Sequence, residues 1–285
     1  MTEAWAVVRN GAVTELHDAD LIVPWWSFTK TAIAAACLAL VRDGVLALDE
    51  PLPNRPYSLR QLLEHRAGLP EYGELSAYHE AVARGDDPWP VASLFERVGA
   101  DRLRYEPGTG WGYSNVGYAI ARQLLESMTG QGLDDALQRL VLKPLGVNAW
   151  VAQERRDLEG VIMGEATAYH PGWVYHGLLV GSVKEAALLL DGIIAGDLLP
   201  KELREEMLAP LVIGGPIPGR IWTVPGYGLG IMTGATSRDL SIAGHTGGGP
   251  GSSIAVYQAG AETSAYFTTN DPARSEGRAA ELLST

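Results

Sequence analysis

The residues best suited to chemistry in this chain are Ser27 and Lys30, three positions apart at the start of an alanine-rich segment. Positions i and i+3 of a helix share a face, so a helix here would point the hydroxyl and the amine the same way. A serine becomes a strong nucleophile when a neighbouring base removes its proton. A lysine whose pKa is lowered by burial can be that base. The spacing therefore indicates a nucleophilic serine, with a polar cap on a buried helix as the plainer alternative.

Two later stretches favour the catalytic interpretation of the Ser27–Lys30 spacing. Tyr113 and Asn115 stand two residues apart after a Pro-Gly turn, and His245 opens a histidine-threonine-glycine run. The run continues with Thr246, Gly247 and Gly248. The order Ser-x-x-Lys, Tyr-x-Asn, His-Thr-Gly resembles the serine β-lactamase-related family, which includes class C β-lactamases, D-alanyl-D-alanine carboxypeptidases and related esterases.

Further segments extend the resemblance along the chain. Residues 62–70 look like the family's Leu-Leu-x-His-x-Ser-Gly-Leu stretch, and residues 177–185 look like its Gly-Leu-x-Ser-Thr-x-x-Asp stretch. A Tyr-Gly-Leu-Gly sequence at 227–230 also fits. The resemblance therefore runs from about residue 5 to about residue 270.

The resemblance implies an acyl-enzyme mechanism. Ser27 would attack a carbonyl carbon, while Lys30 and Tyr113 would share the proton transfers, either of them acting as the general base. Asn115 would orient the substrate amide or the lysine. The backbone N–H groups of Ser27 and Gly248 would form the oxyanion hole.

The histidine-threonine-glycine run would bind substrate. Its small residues, Gly247 and Gly248, let a ligand approach the strand edge beside Thr246 closely. His245 stands where class C β-lactamases mostly carry lysine. Because a free histidine titrates at about pH 6.5, we expect His245 to be either a pH-dependent clamp for a substrate carboxylate or a neutral hydrogen-bond partner of Tyr113.

The predicted function is a serine hydrolase that acts on an ester, amide or β-lactam bond of a small-molecule or peptide substrate. The non-enzyme alternative is a penicillin-recognising or scaffold protein that has kept the fold and lost turnover; the intact Ser27, Lys30 and Tyr113 argue against it. No cofactor or metal is expected. His65 is expected to brace its loop, and His170 and His176 are candidate pocket residues without the spacing of a metal site.

Composition agrees with an enzyme that has its own core. The chain has 285 residues, of which 46% are hydrophobic, enough for one or two domains. Its net charge of −12 argues against nucleic acid or an anionic membrane as partner. Cys37 is the one cysteine, which excludes an internal disulfide. The first residues lack the basic start and apolar run of a signal peptide, so we expect a cytoplasmic protein.

The fold class we expect is α+β, of the β-lactamase/transpeptidase type. Residues 1–57 and 220–285 would form an antiparallel sheet domain with flanking helices, and residues 58–219 an inserted, mainly helical domain, with the active site at their junction. Relatives usually carry a helix before the first strand. Without it, one sheet face would rely on a C-terminal helix or be covered by a second subunit, which leaves a homo-oligomer as an alternative.

Several individual elements can be predicted from local patterns. Asn10 and Gly11 form a strong two-residue hairpin signal between two short strands. The Ser27 helix should stop near Asp43 and Gly44. The later predicted elements are strands at 228–232, 252–257 and 264–269 and a last helix at 278–283.

Overall fold

An eight-stranded antiparallel sheet built from both ends of the chain forms the frame of the computed structural model, which describes residues 2–166, 168–269 and 272–283. The strand order in this sheet is β2-β1-β11-β10-β9-β8-β7-β6, and β3-β5-β4 form a second, smaller sheet. The strands are β1 (Glu3–Arg9), β2 (Ala12–His17), β3 (Ile22–Pro24), β4 (Ala149–Ala152), β5 (Leu178–Ser182), β6 (Leu211–Val212), β7 (Trp222–Tyr227), β8 (Met232–Thr236), β9 (Ser241–Gly249), β10 (Ser252–Ala259) and β11 (Glu262–Thr268).

Helices fill the middle of the chain and cover the sheet. The α-helices are α1 (Thr29–Arg42), α2 (Leu59–Leu63), α3 (Ser76–Arg84), α4 (Val91–Val98), α5 (Asn115–Thr129), α6 (Leu133–Leu137), α7 (Lys143–Leu145), α8 (Val183–Ile194), α9 (Lys201–Leu208) and α10 (Pro272–Glu281). A π-helical turn, Gln138–Leu142, joins α6 to α7. The α+β class predicted from the sequence is confirmed, with strands from both termini in one sheet.

The predicted hairpin at the start of the chain is present. Asn10 and Gly11 have φ angles of +53° and +77°, as a type I′ turn requires at its two central residues. The turn joins β1 to β2, and β1 pairs along its other edge with β11. This pairing ties the first described strand to the last one.

Helix α1 is buried along nearly its whole length, which explains its composition. Its residues from Thr29 to Leu40 are all buried, and five of them are alanines that allow close approach from every side. The helix ends at Arg42, followed by Gly44 in the left-handed region with φ +72°, close to the predicted stop.

Two boundaries differ from the sequence prediction. Residues 228–231 connect β7 to β8 rather than forming a strand, because the Gly228 N–H donates to the Ile231 carbonyl (2.8 Å) and reverses the chain. Gly230, with φ +74°, lies against Ala34 of α1, where a side chain would collide. The last helix begins earlier than predicted, at Pro272, and ends at Glu281.

The two faces of the large sheet are covered by different helices. Helix α8 packs on β1, β10 and β11, although the sequence prediction placed its residues in the helical unit. Helix α10 packs on β10 and β11 from the other side. There Ala279 and Leu283 join Trp222, Tyr257 and Tyr266 in a separate hydrophobic cluster.

Glu276 fastens α10 to the sheet through a buried carboxylate. It accepts hydrogen bonds from the Trp222 indole (2.8 Å) and the Tyr257 hydroxyl (2.7 Å). Arg220, in the loop before β7, donates to both carboxylate oxygens (2.9 and 2.5 Å). Burial alone would raise the pKa of Glu276, but these hydrogen bonds and the guanidinium charge leave it below the usual value.

Replacing Glu276 with alanine should lower the free energy of unfolding by about 2–4 kcal/mol, less than for a fully enclosed pair because Arg220 is 33% exposed. The change leaves buried donors without an acceptor. Since the pKa of Glu276 is lower in the folded chain, its contribution is present at neutral pH and is lost as pH falls through that value. Denaturant titration measures the loss, and Glu281→Gln, an exposed change on the same helix, should shift stability by less than about 0.5 kcal/mol.

Candidate active site

Ser27 lies in a strained turn that leads from β3 into α1. The turn, Trp26–Phe28, is 3₁₀-helical, and Trp26 has a φ of +45°, a left-handed conformation that is unfavourable for a bulky residue. The Trp26 indole donates to Ser252 Oγ (3.1 Å) on β10. This contact with the sheet holds the turn and leaves Ser27 half-buried at the surface of a cavity.

Strand β9 brings the histidine-threonine-glycine run directly alongside this turn. Gly247 lies so close to the Trp25 carbonyl and the Ser27 amide that a Cβ atom at this position would collide with both. Gly248 is exposed and faces open space, and it lines the same cavity as Ser27 and Thr246. Gly247 therefore lets the strand approach the nucleophile, and Gly248 leaves space at the strand edge, where the sequence analysis expects a substrate.

Lys30 is placed to act on Ser27. Its Nζ atom lies 2.9 Å from Ser27 Oγ, and its side chain is fully buried. Burial lowers the pKa of Lys30 to about 7, against the opposing effect of the Glu71 charge. A large share of this lysine is thus neutral near pH 7 and carries a lone pair that can take the serine proton.

Tyr113 completes the group that the sequence predicted to be catalytic. Its ring lies 5.0 Å from Lys30 Nζ. Burial raises the pKa of Tyr113 above its usual value, and a side-chain hydrogen bond with Ser27 offsets part of this increase. Tyr113 therefore keeps its proton at neutral pH, so it is a better proton donor than proton acceptor.

Asn115 starts helix α5 and is held by a carboxylate that sequence reasoning missed. Glu71 accepts hydrogen bonds from both the Asn115 backbone N–H and its side-chain Nδ2 (2.8 Å). Asn115 lines a small cavity together with Ser27. One Nδ2 N–H is used by Glu71, so Asn115 can offer its amide oxygen and the second N–H to a substrate.

His245 forms two hydrogen bonds within the protein. Its Nδ1 donates to the Thr246 carbonyl, and its Nε2 accepts from the Tyr227 hydroxyl (2.9 Å), so the partner is not Tyr113. Burial, followed by the charge of Lys30, lowers the pKa of His245 to about 3. Of the two expected roles, a neutral imidazole at neutral pH speaks against the carboxylate clamp and agrees with the hydrogen-bonding role, with Tyr227 as the partner in place of Tyr113.

His65 braces the Tyr113 segment, as expected. Its Nδ1 accepts from the Ser114 N–H (3.0 Å), and its ring lies 4.3 Å from the ring of Tyr113. The other two candidate histidines, His170 and His176, have different surroundings. His170 accepts from the Gly172 N–H within its own loop, whereas His176 Nε2 lies 3.3 Å from Lys30 Nζ.

Two cavities meet at Ser27. The larger, of about 510 Å³, is lined mainly by aromatic and aliphatic side chains. These include Trp111, Tyr113, Trp222, Tyr227, Ile213 and Met232. The smaller, of about 120 Å³, has Asn115 and His176 in its wall. A substrate bound across the nucleophile can thus place one part on each side of the reacting carbonyl.

No three histidine, cysteine, aspartate or glutamate side chains within the described ranges are grouped to hold a metal ion. No helix among those residues has the length and apolar composition needed to cross a membrane.

Comparison with known proteins identifies the class. The family model described as Beta-lactamase matches residues 2–284, and the chain belongs to this family. The crystal structure of D-amino acid amidase from Ochrobactrum anthropi SV3 complexed with D-phenylalanine is similar, with a TM-score of 0.82 and 22% identity over 99% of this chain and 94% of that one. The octameric penicillin-binding protein homologue from Pyrococcus abyssi has a TM-score of 0.79 and 21% identity over 95% of this chain and 70% of that one.

Among curated proteins, this chain is similar to several proteins with different names. Esterase EstB of Burkholderia gladioli is 33% identical over 42% of this chain and 36% of that protein. A D-aminopeptidase of Cereibacter sphaeroides (strain ATCC 17029) is 26% identical over 75% of this chain and 41% of that protein. Penicillin-binding protein 4* of Bacillus subtilis is 29% identical over 46% of this chain. The matched segments span 30–41% of the length of these three relatives.

The lowered pKa of Lys30 gives the site a defined pH dependence. Labelling of Ser27 by an uncharged aryl phosphonate should speed up as pH rises through about 7 and then level off, because only neutral Lys30 accepts the serine proton. Glu71→Gln should move the midpoint to lower pH, since the Glu71 charge raises the pKa of Lys30.

The control is Glu74→Gln, which removes an exposed carboxylate paired with Arg104 and should leave the midpoint in place. Labelling rates are followed by intact mass. A midpoint that Glu71→Gln fails to lower would contradict the electrostatic account of Lys30.

Proposed function

We propose that this chain is a serine hydrolase that forms an acyl-enzyme through Ser27 and cleaves small esters or amides. The proposal rests on one observation: Ser27 Oγ lies 2.9 Å from the amine of a fully buried lysine. A nucleophile within hydrogen-bond distance of a base whose pKa is about 7 is the arrangement that acyl transfer at neutral pH requires.

Acylation begins with removal of the serine proton. Neutral Lys30 takes the proton from Ser27 Oγ as the oxygen bonds to the substrate carbonyl carbon. The negative charge moves to the carbonyl oxygen, which we place between the N–H groups of Ser27 and Gly248. The raised pKa of Tyr113 favours Lys30 as the base.

The leaving group then needs a proton. Tyr113 is protonated and close to Ser27, so we assign it the transfer of a proton to the departing oxygen or nitrogen. The proton that Lys30 took from Ser27 then replaces the one that Tyr113 has given up; both side chains lie within hydrogen-bond reach of Ser27. Water finally attacks the acyl-enzyme with the same groups acting in reverse, and Ser27 is regenerated.

For the substrate class, we propose esters and amides of D-configured amino acids. Support comes from the names of similar proteins: D-aminopeptidase, D-amino acid amidase and D-stereospecific amidohydrolase. The larger cavity has an aromatic and aliphatic wall that suits an apolar side chain.

Turnover of the p-nitroanilides of D- and L-phenylalanine tests this choice of substrate class. The proposal requires the D-isomer to react faster than the L-isomer.

Ser27→Ala should abolish both covalent labelling and turnover while the melting temperature stays within about 4 °C of the unaltered protein. The variant removes the oxygen that forms the acyl bond and leaves the surrounding packing in place. Intact mass after incubation with a fluorescent penicillin or a phosphonate measures labelling. Ser237→Ala, at an exposed serine, is the matched control. Labelling that persists in Ser27→Ala would remove this serine from the mechanism.

An activated ester should be a better substrate than a β-lactam. We expect kcat/KM for p-nitrophenyl acetate to exceed that for a chromogenic cephalosporin, because the nitrophenolate leaves without needing a proton. In addition, neutral His245 offers no charge to the lactam carboxylate, and Arg220 on the cavity wall is already paired with Glu276. A larger value for the cephalosporin would contradict this ranking. Labelling by penicillin without release would favour a recognition protein instead.

A further inference from the structure

A buried imidazole outside the predicted catalytic motifs, that of His176, lies within hydrogen-bond distance of the amine of Lys30. His176 lies in the loop between a 3₁₀ turn, Pro171–Trp173, and strand β5, far along the chain from α1. Its Nε2 is 3.3 Å from Lys30 Nζ, and the residue is only 2% exposed. It also lines the small cavity that includes Ser27 and Asn115.

In the described part of the chain, Lys30 Nζ has two hydrogen-bond partners, Ser27 Oγ and His176 Nε2. The rings of Tyr113 and Tyr118 lie at 5.0 and 5.7 Å and present only their π-faces. The charged and titratable groups that act on Lys30 from further away are Glu71, His65 and His245. Besides Ser27, His176 is therefore the side chain that holds the Lys30 amine by a hydrogen bond.

The direction of this hydrogen bond follows from the protonation of the ring. Burial, followed by the charge of Lys30, lowers the pKa of His176 far below its usual value, so the imidazole is neutral. An amine with N–H groups donates to an unprotonated ring nitrogen. We therefore assign the proton of His176 to Nδ1, so that Nε2 accepts from Lys30.

We propose that His176 is a positioning residue for Lys30, and that Ser27, Lys30 and His176 form one hydrogen-bonded chain. This inference rests on the proposed function and deepens it. His176 accepts an N–H of Lys30, so the lone pair of the neutral amine points at the Ser27 hydroxyl. The order nucleophile, base and orienting group is the one that activated serines generally require.

The effect of His176 should be greatest while the reaction proceeds. As Ser27 Oγ bonds to the carbonyl carbon, its proton passes to Lys30, and the amine becomes an ammonium with three N–H groups. A hydrogen bond from an ammonium is stronger than one from a neutral amine. His176 thus stabilises the charged form of Lys30 that arises in the transition state more than it stabilises the resting state.

Three variants test the proposal on an ester substrate. His176→Ala should lower kcat and kcat/KM together by about 10- to 100-fold, the size expected for losing a hydrogen bond to a charged group. His176→Gln can place an amide oxygen near the position of Nε2 and should recover most of that loss. His170→Ala, the control, removes a histidine of the same loop that lies outside both cavities at Ser27 and should leave both constants unchanged.

The pH profile separates positioning from simple support of the loop. Because an acceptor favours the ammonium form, its loss in His176→Ala should move the acid limb of kcat/KM to lower pH, and His176→Gln should move it back. A higher KM with unchanged kcat would show that His176 only lines the pocket and would overturn the proposal. Unchanged rates in His176→Ala would do the same.

A spectroscopic measurement does not depend on turnover or on the folding of a variant. Long-range ¹H–¹⁵N spectra of the unaltered protein should show His176 with its proton on Nδ1 and a bare Nε2 between about pH 6 and 9. A proton on Nε2 would overturn the hydrogen-bond direction. If the unaltered protein is neither labelled at Ser27 nor able to turn over substrate, both the proposed function and this inference are wrong. If labelling is normal but Nε2 of His176 carries the proton, only the inference is wrong.

Discussion

A lysine ammonium loses its hydration when it is buried, and this cost governs the candidate active site. Lys30 is enclosed by α1, α5 and the aromatic side chains around them, so its neutral form is favoured until its pKa reaches about 7. The same enclosure neutralises His65, His176 and His245, all of which lie near the lysine. Three neutral rings and one easily deprotonated amine make a site poor in positive charge, suited to moving protons rather than to holding anions.

The enclosure depends on close approach of backbone to backbone. Ser27 reaches the cavity because Trp26 accepts a left-handed conformation, and Gly247 allows β9 to lie against the same turn. Strain of this kind persists only where the surroundings determine it, here through the indole contact with Ser252. Gly230 lets the β7–β8 connection rest on α1 in the same way. The nucleophile is therefore positioned by the sheet as much as by its own helix.

Local patterns in the sequence could predict part of this arrangement. The Ser27–Lys30 contact follows from their spacing, and the Asn10–Gly11 turn follows from the φ angles those residues tolerate. Contacts between distant segments have no such signal: 146 positions separate Lys30 from His176, and nothing in the sequence around Glu71 points to Asn115. The wrong strand at 228–232 arose because alternating glycines and aliphatic residues resemble a strand, while only the packed helix requires a turn there. The pKa of His245 was unpredictable for the same reason, since burial is a property of the fold.

Helix α10, the last described helix, affects the larger cavity although it packs on the sheet face opposite to α8. Glu276 of α10 accepts hydrogen bonds from Arg220 and Trp222, and both of these side chains also line the larger cavity. Helix α10 therefore helps to set the shape of the larger cavity, although none of its residues lines that cavity. A change in how this helix is anchored would therefore alter the substrate cavity while the residues around Ser27 stay the same.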